Sequence, residues 1–150
     1  MLRISKLADY GTVILTLMAR TPSKHFAASE LAELSHLPLP TTSKILKILT
    51  QAGILLSLRG MKGGYLLAHA PDQIAITDII SALDGDMALT TCTTHDKICD
   101  LQTSCHIRAN WQVINAAVYG ALKDITLADM IMPMPARSVS IDTIRRHADG

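Results

Sequence analysis

Residues 28–65, ASELAELSHLPLPTTSKILKILTQAGILLSLRGMKGGY, decide the fold. A short helix is expected over Ala28 to His36, with Leu31 and Leu34 turned inward. Pro38 and Pro40 bracket a turn, and Pro40 suits a first helical position, where the missing N–H has no intrahelical partner to lose. A second helix is expected from Thr41 to Ala52, closed by Gly53. Ile45, Leu46, Ile48 and Leu49 make its buried stripe, which leaves Thr42, Ser43, Lys44 and Lys47 on or near the open side.

Two strand-like runs follow, Ile54 to Arg59 and Tyr65 to Ala70, around the glycine-rich tip Gly60-Met61-Lys62-Gly63-Gly64. Two short helices and then a hairpin is the order of a winged helix-turn-helix. In that arrangement the second helix enters the major groove of DNA and the hairpin lies along the backbone or in the minor groove. Lys44, Lys47, Arg59 and Lys62 then share one nucleic-acid face.

Working outward, Ser5 caps a helix expected to run to about Arg20, with Leu7, Gly11, Ile14, Leu15 and Met18 on one face before Pro22. Downstream, Thr77 is expected to cap a short helix to Leu83, and Asp84-Gly85-Asp86 opens a polar loop that holds every cysteine. Trp111, Ile114, Val118, Leu122 and Ile125 then recur at helical spacing, and one long apolar stripe in a small protein often belongs to a dimer. Thr126 caps a last turn through Met130, and residues 133–150 are expected to be a mobile tail. The reading is therefore mainly α, in four parts: a winged helix-turn-helix DNA-binding region with a two-stranded wing (1–83), a cysteine loop (84–106), a long dimerisation helix with its terminal turn (107–132) and the tail.

The chain has 150 residues, 49% of them hydrophobic, with 14 Lys+Arg against 13 Asp+Glu. That excludes a disordered chain, and three cysteines are too few and too odd in number for a secreted disulfide scaffold, so the cytoplasm is the expected compartment. No apolar run approaches the roughly 20 residues that span a bilayer. Arg3 and Lys6 precede apolar residues as in a signal peptide, but Asp9 interrupts the run and Ala19-Arg20 is no cleavage site, so a mature helix is expected. Residues 1–65 hold eight Lys+Arg against three acids, whereas residues 66–136 hold three against eight. A basic front on an acidic back suggests that the front meets a polyanion.

Cys92, Cys99 and Cys105 are spaced Cys-x6-Cys-x5-Cys, with His95 between the first two and His106 directly after the last. A redox dithiol favours Cys-x-x-Cys, and structural zinc favours pairs two to four apart. Wide spacing on a loop suits an iron-sulfur cluster, whose irons take thiolates from several directions, yet zinc with His106 or His95 and unliganded thiols stay open on spacing alone. The glycines at 60–64 lack the spacing, the Lys-Ser/Thr ending and the following helix of a phosphate loop, and no nucleophile elbow or Ser-His-Asp grouping is present. The chain is not expected to be an enzyme.

Three segments carry a resemblance: the opening from Leu2 to Gly11, the wing Leu58-Arg59-Gly60-Met61-Lys62-Gly63-Gly64-Tyr65, and the three-cysteine loop. With Ile125-Thr126-Leu127-Ala128-Asp129 they make the chain, to about Ile131, similar to the iron-sulfur winged-helix transcriptional regulators, the IscR/NsrR-like family. The resemblance implies a homodimer that binds double-stranded operator DNA and responds to its cluster, 2Fe-2S or 4Fe-4S. It implies Cys92, Cys99 and Cys105 as cluster thiolates, Arg59 in the minor groove and the helix from Thr41 in the major groove. In IscR-like members a His stands three residues past the last cysteine; here that residue is Arg108, which does not ligate iron. The substitutes are Asp9 from the partner subunit, as in NsrR-like members, with His106 as the alternative. The opening most resembles the SUF-system regulators, which implies control of iron-sulfur cluster assembly genes; nitric oxide sensing and a zinc-stabilised DNA binder are the alternatives.

Overall fold

The computed structural model describes residues 3–93, 99–100 and 104–132. Helix α1 spans Lys6–Ala19, α2 Ala28–Ser35 and α3 Leu39–Gln51; strands β1 (Leu55–Leu58) and β2 (Gly64–Leu67) follow; α4 is Ile76–Asp84, α5 Arg108–Lys123 and α6 Leu127–Ile131.

α1 begins where Ser5 accepts a hydrogen bond from the Ala8 amide at 3.2 Å, as its sequence position predicts. Its apolar face buries Ile14, Leu15 and Met18, which meet Leu31 of α2, Ile45, Leu46 and Leu49 of α3, and Ile79 of α4 in one core. Each such side chain contributes about 1.5–3 kcal/mol on leaving water. α3 ends in a paired turn: the Ile54 amide donates to the Leu49 carbonyl and the Gly53 amide to the Thr50 carbonyl, with Gly53 at φ +76°. That left-handed residue stops the helix and turns the chain directly into β1.

The strands pair antiparallel in the register Leu55↔Leu67 to Leu58↔Gly64; β1 is one residue shorter at each end than the expected run, and β2 begins one residue earlier and stops three earlier than expected. Leu55 and Leu67 are buried at the base, so the hairpin is pinned to the core through one cross-strand pair. A backbone exchange with Phe26 flanks β2: the Phe26 amide donates to the Tyr65 carbonyl at 2.9 Å, and the Tyr65 amide to the Phe26 carbonyl at 2.8 Å.

α5 buries no residue within its own chain; Ile114 and Val113 are 44% and 60% exposed. Ile125, expected as the end of its stripe, lies past its terminus, where its carbonyl accepts from Ile76 at 2.9 Å. α6 then returns to the core, capped by Thr126 as expected, with Leu127 fully buried and its amide donating to the Ile74 carbonyl at 2.8 Å.

Three local expectations are corrected. Leu34 is 48% exposed, because an eight-residue α2 covers the core with Leu31 and Ala32 only. Ile48 is half-buried, and Thr42 takes the place expected for it in the inner stripe of α3. Thr77 is no cap: α4 starts two residues earlier than that would place it, with Ala75 at the cap position donating its amide to the Asp78 carboxylate at 3.3 Å. The Thr77 hydroxyl is instead buried without a hydrogen-bond partner. His95 and the tail at 133–150 lie outside the described residues.

Candidate functional site

The outer face of α3 follows from its inner one. Thr42, Ile45, Leu46 and Leu49 recur at three and four residues and are all buried, so Pro40, Ser43, Lys44 and Lys47 fall on the opposite side. Lys44 and Lys47 are exposed, and Thr41 and Ser43 are half-buried. Thr42 does not belong to the interface. Its side chain is 0% exposed and its hydroxyl donates to the Pro38 carbonyl at 3.1 Å, which corrects its placement among the DNA-contacting residues. Leu39, 47% exposed in the first turn beside Pro40, was not among the residues expected there. That first turn carries no acidic residue, so the positive end of the helix dipole faces outward without a local counter-charge.

The wing places Arg59 and Lys62 in solvent on either side of its tip. The Gly63 amide closes the tip onto the Gly60 carbonyl at 2.9 Å. A Cβ at residue 63 would lie 2.3 Å from the Leu58 carbonyl oxygen, and one at residue 64 would lie 2.6 Å from that of Phe26. Only glycine fits between these backbones. From residue 34 to residue 71 the chain contains four Lys or Arg and no Asp or Glu. The absence of acids is a signal that residue-by-residue reading passes over: α3 and the wing form a surface whose formal side-chain charges are all positive, suited to phosphate.

Cys92, Cys99 and Cys105 are free and half-buried. The Cys92 sulfur lies 3.1 Å from the Thr90 hydroxyl. Asp9 is exposed on α1, and His106 is exposed just before α5. The donor set suits a cluster in kind, with three unpaired thiols on one loop. Among the described residues no group of three or more His, Cys, Asp or Glu side chains lies close enough together to hold a metal ion. Arg108, the first residue of α5, has its Nε buried without a hydrogen-bond partner. An open cleft of about 500 Å³ lies between the N-terminal segment, the end of α4 and α5, lined in part by Ile4, Ile80, Met87, Trp111, Val118 and Tyr119.

Comparison with known proteins places these features. The profile of the Rrf2 family, described as iron-dependent transcriptional regulators, matches residues 4–133. The protein rrf2 of Nitratidesulfovibrio vulgaris is 28% identical over 131 residues, covering 87% of each chain. The transcriptional regulator IscR of Cronobacter sakazakii is 26% identical over 140 residues, covering 93% of this chain and 86% of its own. Among solved structures, CymR, the global cysteine regulator of B. subtilis, superposes with a TM-score of 0.71 at 28% identity, covering 87% of this chain and 97% of its own. IscR of T. potens gives 0.64 at 25% identity, covering 89% and 94%.

Proposed function

The chain belongs to the Rrf2 family of iron-dependent transcriptional regulators, and on that footing we propose that it works as a homodimer that reads an iron-sulfur cluster and reports it to operator DNA. That it is a winged-helix transcriptional regulator, and not an enzyme, follows from the family. The finer reading is that Cys92, Cys99 and Cys105 hold the cluster, 2Fe-2S or 4Fe-4S, with Asp9 of the partner subunit or His106 as fourth ligand. Its target genes are those of SUF-type cluster assembly.

The observation that carries the DNA part is the acid-free surface of α3 and the wing. Thr41, Ser43, Lys44 and Lys47 face the major groove, while Arg59 enters the minor groove and Lys62 lies beside it on the wing. The unburied apolar residues of α5 support the dimer, since a face with Val113 60% exposed is satisfied by a second copy. The cluster part rests on three free thiols of ligand type and on IscR relatives. When bound, a cluster supplies iron open to small oxidants. The chain's own part is to present the thiols at the foot of α5, so that their arrangement bears on how two reading heads are held apart. No helix among the described residues is long and apolar enough to cross a membrane, which agrees with a cytoplasmic regulator.

A second reading, a thiol regulator without a cluster, is favoured by the likeness to CymR, the global cysteine regulator. Anaerobic purification followed by absorption spectroscopy and iron, sulfide and zinc analysis separates the two. Iron with sulfide, and a visible chromophore altered in Asp9→Ala, supports the cluster with a cross-dimer carboxylate. An unaltered chromophore moves the fourth ligand to His106 or to a small molecule. Stoichiometric zinc, or no metal after anaerobic reconstitution, overturns the cluster.

A further inference from the structure

We propose that Met61 is a wedge that enters the minor groove at the wing tip, parts a base step and bends the duplex. The inference rests on the DNA-binding reading and adds to it a residue that is neither a cation nor a hydrogen-bonding group.

Met61 is 105% exposed, more than any other large apolar residue among those described. An apolar side chain held fully in water contributes nothing to the fold. Its position is fixed all the same. The last cross-strand pair, Leu58↔Gly64, lies directly below the tip, and the Gly63 amide closes the turn onto Gly60 at 2.9 Å. The paired hydrogen bonds between Phe26 and Tyr65 hold β2 from its other side. A tip braced in this way delivers Met61 to one place.

What that place meets is set by its neighbours. Arg59 and Lys62 stand exposed on either side, and no acid occurs between residues 34 and 71, so the surface that carries Met61 is drawn to phosphate and not to an apolar protein face. Proteins that hold the minor groove with Arg or Lys use Met, Leu, Ile, Phe or Pro as the group that slides between base pairs. Methionine is well suited to such insertion, because its chain is unbranched and flexible and its sulfur is polarisable against a base face. The cations supply attraction and Met61 supplies deformation, which makes the wing a reader of how easily a step unstacks.

The test uses the full chain and a short duplex that the wild-type protein recovers from a randomised pool. The duplex carries a fluorescent adenine analogue at successive steps and a donor–acceptor dye pair at its ends. Wild type is expected to raise the analogue's fluorescence at one step per wing and to shorten the end-to-end distance. Met61→Ala is expected to abolish both signals and to weaken binding about tenfold with an unchanged salt slope, whereas Met61→Leu retains both. Arg59→Ala is expected to lower affinity and reduce the salt slope. If wild type binds without unstacking any step, or Met61→Ala bends the duplex as wild type does, the wedge is overturned and the DNA-binding reading stands. If wild type recovers no duplex at low salt, both fall together.

Discussion

Ser5 and Asp84, 79 residues apart, are joined at two points: the Ser5 amide donates to one carboxylate oxygen of Asp84 at 3.0 Å and the Ser5 hydroxyl donates to the other. The same hydroxyl accepts from Ala8 as the α1 cap. One short side chain thus starts α1 and ties it to the residue where α4 ends and the chain leaves for the cysteines. Asp84→Ala is expected to destabilise the fold by about 1–2 kcal/mol, read from a urea unfolding curve. An unchanged midpoint would show the junction to be without energetic weight.

The wing is expected to tolerate no side chain at two of its glycines. Gly63→Ala places a methyl 2.3 Å from the Leu58 carbonyl oxygen, and Gly64→Ala adds a φ of +143° to a 2.6 Å approach to Phe26. Neither neighbour is a flexible side chain that can step aside. Both variants should lose roughly 2 kcal/mol or more and bind operator DNA poorly. Gly11→Ala, whose close neighbour is the mobile end of Leu83, should cost less. Thermal unfolding of the three variants ranks them, and equal losses would refute the crowding argument.

Thr42 and Lys44 are two residues apart and should separate stability from binding. Thr42→Val removes the buried hydrogen bond to Pro38 and is expected to cost about 1 kcal/mol of stability, with DNA affinity unchanged. Lys44→Ala is expected to leave stability within about 0.5 kcal/mol, to weaken binding and to reduce the salt slope by about one. Titration at several salt concentrations beside a denaturation curve decides the matter; weakened binding by a stable Thr42→Val would return that residue to the interface.

Leu127 should matter to the DNA-reading head although it follows the long helix. It is fully buried in the same core as Ile14 and Ile79. Leu127→Ala is expected to cost about 2–5 kcal/mol. A loss below about 1 kcal/mol would mean that α6 is an appendage and that the core closes without it.

How far the sequence could be read depended on the kind of signal. The Ser5 cap, the glycine after α3 and the order of two helices and a hairpin each have a local cause, and each stands where expected. Thr42 was misplaced because a threonine is polar by name. Its spacing from Ile45, Leu46 and Leu49 already put it on the inner face, and a carbonyl one turn back satisfies its hydroxyl. Leu34 failed for the opposite reason, since hydrophobicity does not bury a residue on a helix too short to cover it. Ile125 continued the spacing of α5, but the stripe could not reveal that the chain turns at Asp124 to form a backbone bridge with α4. The thiols were visible as a set, whereas their convergence depends on geometry that spacing does not encode.

The construction of the wing also divides its residues by what change would cost. Gly63, Gly64 and Phe26 are locked against one another's backbones, while Met61 and Lys62 project beyond them into open solvent. Substitutions at the tip leave no cavity and break no hydrogen bond of the hairpin. The residue at 61 can therefore be exchanged without cost to the scaffold beneath, so the fold makes the preference among DNA steps easy to revise while the hairpin that carries the gripping cations keeps its shape.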